Sequence, residues 1–285
     1  MSAIIEKKIQ IDKKKFDVMC ERYTSAIEVV EDCKSRGITD SRFDDKSKDH
    51  FGKWEGVKSY EEALDLMKNG YQPTVENLKE KVKAMRSGYG KRISFQNNIV
   101  GAVPVVPLAM MGVPNDMIDM RMKPMKCKVI DVYYDVTCSC GTDSDDIIKN
   151  GQKVLGAIME LEKQGYKFNL YAVQSYSDDK DADVLCVKVK SSDRPLDLKR
   201  ISFPLTHTAF FRIIGFDWYS RCPKAKYRGG YGRGIAYRLS NAELEEWGKQ
   251  LFGENAMYIA GKNIMYQDEK YIKEVLENVG QGKRN

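Results

Sequence analysis

Apolar positions along the chain recur with two different periods, and the change from one to the other marks out the elements. From Lys14 to Lys34, Phe16, Met19, Cys20, Tyr23, Ile27 and Val30 fall mostly three or four apart, which predicts a helix. The polar run from Gly37 that follows reads as a long loop ending at Trp54. Ser59 to Glu62 forms a capping box that opens a second helix, with Ala63, Leu64 and Met67 on its apolar face and Gly70 as its stop. Thr74 caps a third helix running to Met85, with Val75, Leu78 and Val82 on one side. Residues 1–98 are therefore expected to form a mostly helical N-terminal extension.

The segment 99–125 follows neither period. Its apolar run is broken by Pro104, Pro107 and Pro114, which excludes a central strand throughout and a membrane-spanning helix. Six of the thirteen methionines lie between Met110 and Met125. Methionine fills irregular gaps or builds adaptable surfaces. An apolar run of this kind has to be covered, so the expectation is a connector packed on the core.

From residue 126 to 285 strand and helix patterns alternate. A β-rich run at Val129–Tyr134 precedes a helix over Ser144–Gln164 with Ile147, Val154, Leu155 and Ile158 in its stripe. Strand patterns follow at Lys167–Tyr176 and Val184–Lys190, then a helical stretch near Ala209–Ile214. A helix at Asn241–Phe252, capped by Ser240 with Glu243 at the box position, leads to a strand at Ala256–Ala260 and a closing helix at Glu269–Val279. Such alternation predicts an α/β domain whose central, mostly parallel sheet is flanked by helices. Val129–Tyr134 is expected at its centre, between Lys167–Tyr176 and Ala256–Ala260.

Composition narrows the class. With 42% hydrophobic and 31% charged residues in 285, the chain is neither disordered nor fibrous. No uninterrupted run of eighteen apolar residues occurs, and the first residues lack the apolar core of a signal peptide, so a cytoplasmic protein without a membrane partner is expected. Seven cysteines without a C-x-x-C pair read as reduced thiols. Only His50 and His207 are available as imidazoles, and no H-x-x-x-H, G-x-S-x-G or P-loop string occurs, so enzyme chemistry is not favoured.

One string carries candidate chemistry. Asp135, Thr137 and Ser139 alternate just past the first strand of the α/β region, ahead of its long helix. A carboxylate and two hydroxyls there can converge on a hard cation such as Mg²⁺, at the strand ends where α/β sheets place ligands. No Lys or Arg lies between Val129 and Ile148, which leaves a locally negative field. This strand–D-x-T-x-S–helix arrangement resembles the first motif of von Willebrand factor A (vWA)-like domains, with the likeness covering roughly residues 126–280. The resemblance implies a metal-ion-dependent adhesion site, a protein partner, and a threonine from a later loop, for which Thr206 or Thr208 is available. The family's last acidic contribution has Asp217 as its nearest counterpart. Trp54, Gly56, the run Ser59–Ala63 and Gly70, followed by the Val100–Pro107 run, resemble uncharacterised proteins of tailed bacteriophages, which implies a site of action in the host cytoplasm.

The second candidate is a nucleic-acid surface. Between Lys224 and Arg238 stand five basic residues, three tyrosines and four glycines, with no acid. Lys224, Lys226, Arg228, Arg233 and Arg238 could contact phosphates, and Tyr227 and Tyr231 could stack on bases. The whole-chain excess of +6 is too mild to imply nucleic acid by itself.

Overall fold

The computed structural model describes residues 2–37, 54–84, 91–124, 129–139, 141–163, 165–227, 234–267 and 269–280. Strands β1 (Ala3–Ile11) and β2 (Lys14–Tyr23) form an antiparallel hairpin, followed by helix α1 (Ala26–Ser35). Helices α2 (Tyr60–Asn69) and α3 (Gln72–Ala84) precede β3 (Lys91–Asn98), the two-residue β4 (Val103–Pro104), the short α4 (Val106–Met110) and β5 (Met117–Pro124). Then come β6 (Val129–Asp135), α5 (Ser144–Lys163), β7 (Lys167–Ser177), β8 (Asp181–Lys190) and α6 (Leu198–Thr206). A π-helical stretch (Phe210–Gly215) runs into α7 (Phe216–Arg221); a 3-10 turn (Ile235–Tyr237), α8 (Asn241–Phe252), β9 (Ala256–Ala260), α9 (Gly261–Ile264) and α10 (Glu269–Gly280) complete the order.

Six strands form one sheet in the order β1-β2-β8-β7-β6-β9. β6 lies between β7 and β9 and is parallel to both, as the sequence pattern predicts. β2 and β8 are also parallel, whereas β1–β2 and β7–β8 are antiparallel, so three of the five pairings are parallel and the sheet is mixed.

Alternation along each strand feeds two cores. Ile130, Val132 and Tyr134 of β6 face the layer of α1, α2, α5, α6, α7 and α10, with Val154, Leu155 and Ile158 of α5 buried against them. Tyr133 faces the other way, toward α8, where Leu244, Trp247 and Leu251 close the second core. α8 begins at the expected capping box: Ser240 accepts from the Glu243 N–H, and the Glu243 carboxylate accepts from the Ser240 N–H. Among the described residues no helix is long and apolar enough to cross a membrane.

Two expectations are corrected here. The helix read over Lys14–Lys34 is β2 followed by α1, so residues 1–98 are not a mostly helical extension: their first two strands belong to the main sheet. Phe16, Val18 and Cys20 enter the α8 core while Met19 and Tyr23 enter the other. Burial on both faces erases the period of two and leaves spacings that imitate a helix. Ser25 then starts α1 by accepting from the Glu28 N–H at 3.2 Å.

The second correction concerns 99–125, which does not pack on the core. β3, β5 and β4 form a separate three-stranded antiparallel sheet, and among the described residues neither core contains any of its side chains. Ile99, Val100, Val103, Val106, Met110, Met111 and Met120 are all exposed. We refer to residues 91–124 as the arm and to the rest as the body.

Candidate site at the carboxyl ends of the parallel strands

β6 ends on Asp135, whose side chain lies on the α8 side of the sheet, in line with Tyr133. It is completely buried. Its Oδ1 accepts from the Thr137 N–H at 2.9 Å, and its Oδ2 accepts from the hydroxyls of Ser175 at 2.7 Å and Tyr258 at 2.5 Å. Burial pushes the Asp135 carboxyl above its ordinary value, against the opposing pull of those hydrogen bonds.

Thr137 is likewise buried, and its Oγ1 accepts from the Ser175 N–H at 2.8 Å. Ser175 Oγ in turn accepts from the Ile235 N–H at 3.0 Å, which draws the 3-10 turn down onto the strand ends. Only glycine permits that approach at 234, because a Cβ there would sit 2.7 Å from Thr137 Cγ2. Ser139 lies at the rim, half-buried, with its N–H donating to the Tyr237 hydroxyl at 2.7 Å.

The structure thus brings Asp135 and Thr137 into one hydrogen-bonded cluster with Ser139 at its edge. Thr206 is elsewhere. It ends α6, which packs on α5 in the opposite layer, and its hydroxyl donates to the Ser202 carbonyl at 2.6 Å and meets Thr74 Oγ1 at 3.0 Å. Thr208 donates to the backbone carbonyls of Trp54 and Glu55. Asp217 accepts from Arg221 at 2.7 Å and from the Tyr60 hydroxyl. Among the described residues, no group of three or more His, Cys, Asp or Glu side chains is placed to hold a metal ion.

Sequence reasoning missed Ser175 and Tyr258. Tyr258 is set in the otherwise apolar run of β9 and Ser175 between Gln174 and Tyr176 of β7, and both strands are buried on both faces there. A buried hydroxyl requires a partner, and that requirement was the available signal.

The basic segment is tied to the body where it is described. Lys224 pairs with Glu6 at 3.3 Å, Lys226 with Asp17 at 2.5 Å and Arg238 with Asp179 at 2.7 Å. Asp183 accepts from the N–H groups of Lys226 and Tyr227. Tyr227 is buried, and its carbonyl accepts from the Tyr219 hydroxyl, so its ring is a core element. Arg228, Tyr231 and Arg233 lie outside the described residues.

Comparison with known proteins gives one family. A domain of unknown function (DUF7192) matches residues 7–283, spanning the N-terminal strands, the arm and the rest of the body in a single match. No curated protein and no solved structure matches the chain.

Proposed function

The chain belongs to the DUF7192 family, a domain of unknown function, and from its own geometry we propose that it is a non-catalytic protein-binding and assembly protein. In this reading a vWA-like body holds an apolar arm toward a protein partner. The observation that carries it is the arm itself, an ordered sheet with large apolar side chains turned to solvent. Large apolar side chains exposed together on one small sheet mark interaction surfaces. The vWA-like part of the reading is supported by the seating of Asp135 at the carboxyl end of β6, between two parallel neighbours. The carboxyl-end face is the second surface of this reading. Asp135 and Thr137 brace it from within, while Ser139 stands half-buried at its rim.

In its cation-dependent form the reading has Mg²⁺ join Asp135, Thr137, Ser139 and Thr206. The donor set as arranged does not fit that ion. Both Asp135 oxygens already accept hydrogen bonds, and Thr206 stands in the opposite helical layer. The binding reading therefore stands without a metal. The paired state of Lys224, Lys226 and Arg238 favours protein over nucleic acid as the partner. The likeness to tailed-phage proteins adds that such a protein acts in the cytoplasm of an infected host.

The test is the size of the chain in an extract of the cells that make it. Wild type should migrate in an assembly larger than its 32.6 kDa, untouched by nuclease or chelator, and the variant F95D/V100D should fall to the size of one chain. Wild type at one-chain size would overturn the proposal. An assembly that collapses under nuclease would transfer the function to nucleic acid, and one that collapses under chelator would restore the metal.

A further inference from the structure

The register of the arm shows how its exposed residues are arranged. Directly paired residues of antiparallel strands share a face. The pairs Phe95–Met120 and Val103–Ile118 therefore place four apolar side chains on one side of the sheet, because positions 118 and 120 of β5 have the same parity. The pairs Ser94–Arg121 and Gln96–Asp119 occupy the other side, where Arg121 and Asp119 form an ion pair at 2.5 Å. Phe95 is 68% exposed, Met120 48% and Val103 47%. The connecting turn and α4 add Ile99, Val100, Val106, Met110 and Met111, with Met110 at 84%.

A sheet of three strands is stable when its apolar face is covered. Among the described residues the body does not cover this one, since neither core includes a described arm side chain. The longest stretch outside the described residues, 38–53, has eight charged residues in sixteen and only Ile38, Phe43 and Phe51 as large apolar ones, so its sequence offers no apolar run to do it.

Area points to the occupant. The eight exposed apolar residues of the arm, of which Phe95, Met120 and Val103 share the sheet face, present on the order of 1,000 Å² in all, which is above the ~800 Å² per partner of a standard interface. The paired positions Phe95–Met120, Asn97–Ile118 and Val103–Ile118 of that face carry no charge, and Lys91 stands only at its far end, so two copies can approach over these pairs without repulsion. A two-fold axis makes one patch complementary to itself and closes the assembly. We propose that the apolar face of the arm packs on the same face of a second copy of the chain, as a sheet-on-sheet dimer contact. This rests on the assembly reading above and names its partner.

The experiment is sedimentation equilibrium of the purified full-length chain across a wide concentration range, without other proteins. Wild type should approach twice 32.6 kDa. F95D/V100D should remain at one chain over the whole range, and Q96D, on the opposite face of the same strand, should still dimerise. Because Phe95 and Val100 lie outside both cores, circular dichroism and the main melting transition of F95D/V100D should match wild type. A monomeric wild type, or a dimer that survives F95D/V100D, overturns the inference. So does co-sedimentation of a monomeric wild type with anionic lipid vesicles, which would assign the face to a membrane surface. A purified monomer that is nonetheless part of a larger assembly in extract would sink the second-copy partner and leave the assembly function standing.

Discussion

The body and the arm are both built around β-sheet, yet they treat apolar side chains in opposite ways. In the body β2, β6, β7 and β8 are covered on both faces over most of their length, and even Asp135 and Thr137 are buried with partners. In the arm the strands pair just as regularly, but the apolar face is left to solvent. Hydrogen-bonded pairing therefore does not separate a core from an interface; coverage does. The comparison also separates two kinds of mutational sensitivity, since only the body draws its stability from its own packing.

The largest effect should come from emptying the body's core. Phe168 of β7 is completely buried in the α5 layer. Phe168→Ala should cost about 3–5 kcal/mol in chemical denaturation through lost transfer energy and a cavity. A loss below about 1 kcal/mol would place that layer among loosely packed structures and blur the contrast with the arm.

A pH effect of slightly smaller size belongs to His207. Its ring is buried against Tyr71 and Phe203, with Nδ1 accepting from the Ala209 N–H at 3.1 Å. Burial lowers its pKa from 6.5 to about 4. The unfolded chain takes up this proton near 6.5 and the folded chain only near 4, so stability contributed above pH 6.5 is lost as the pH falls through that window. Integrated, the loss is on the order of 3 kcal/mol. The variant H207Q should flatten the dependence of unfolding free energy between pH 7 and 4 relative to wild type. Parallel curves for the two proteins would refute the assignment.

Much of the body was legible in the sequence because its signals were local. Helix α8 and strand β9 end where the capping box, the glycine stop and the apolar run place them. The place of β6 between β7 and β9 was legible from the order of patterns. Its expected position at the centre of the sheet was not met, because the N-terminal hairpin adds strands beyond β8 and leaves β6 next to the edge strand β9. The N-terminal strands were not, because residues buried on both faces lose their alternation. The arm was misjudged for a different reason. A methionine- and proline-rich run must be covered, but nothing in a single sequence tells whether the chain itself supplies the cover. At the candidate site Asp135 and Thr137 were found by motif, while Ser175 and Tyr258 come from β7 and β9 and meet Asp135 only in the folded sheet. Thr206 was assigned by chain order, which does not tell on which side of a sheet a helix packs.

The Asp135 cluster sharpens the comparison at intermediate size. Asp135→Asn keeps the shape but turns one acceptor into a donor facing hydroxyls that donate, so about 1–3 kcal/mol should be lost. Because both carboxylate oxygens are already engaged, millimolar Mg²⁺ should leave the melting temperature of wild type unchanged. A rise with Mg²⁺ that disappears in D135N would show that the cation displaces Ser175 and Tyr258, and the site would then be an ion seat.

The smallest effect on the main transition should come from the arm. At Gly101 a Cβ would lie 2.3 Å from the Ile118 carbonyl oxygen, the same atom that accepts from the Ala102 N–H at 2.8 Å. That oxygen is backbone and cannot turn aside, so Gly101→Ala must push the turn away from β5 and break the pairing of β4. Since among the described residues no arm side chain belongs to either core, the damage has no packed route into the body there. Global unfolding should move by less than about 0.5 kcal/mol, the range of ordinary surface changes. Hydrogen exchange should report what the melting curve misses: amides of 91–124 lose protection while those of β6, β7 and β8 keep theirs. Loss of protection across both regions would mean that the arm and the body unfold as one cooperative unit, and the contrast between them would fail.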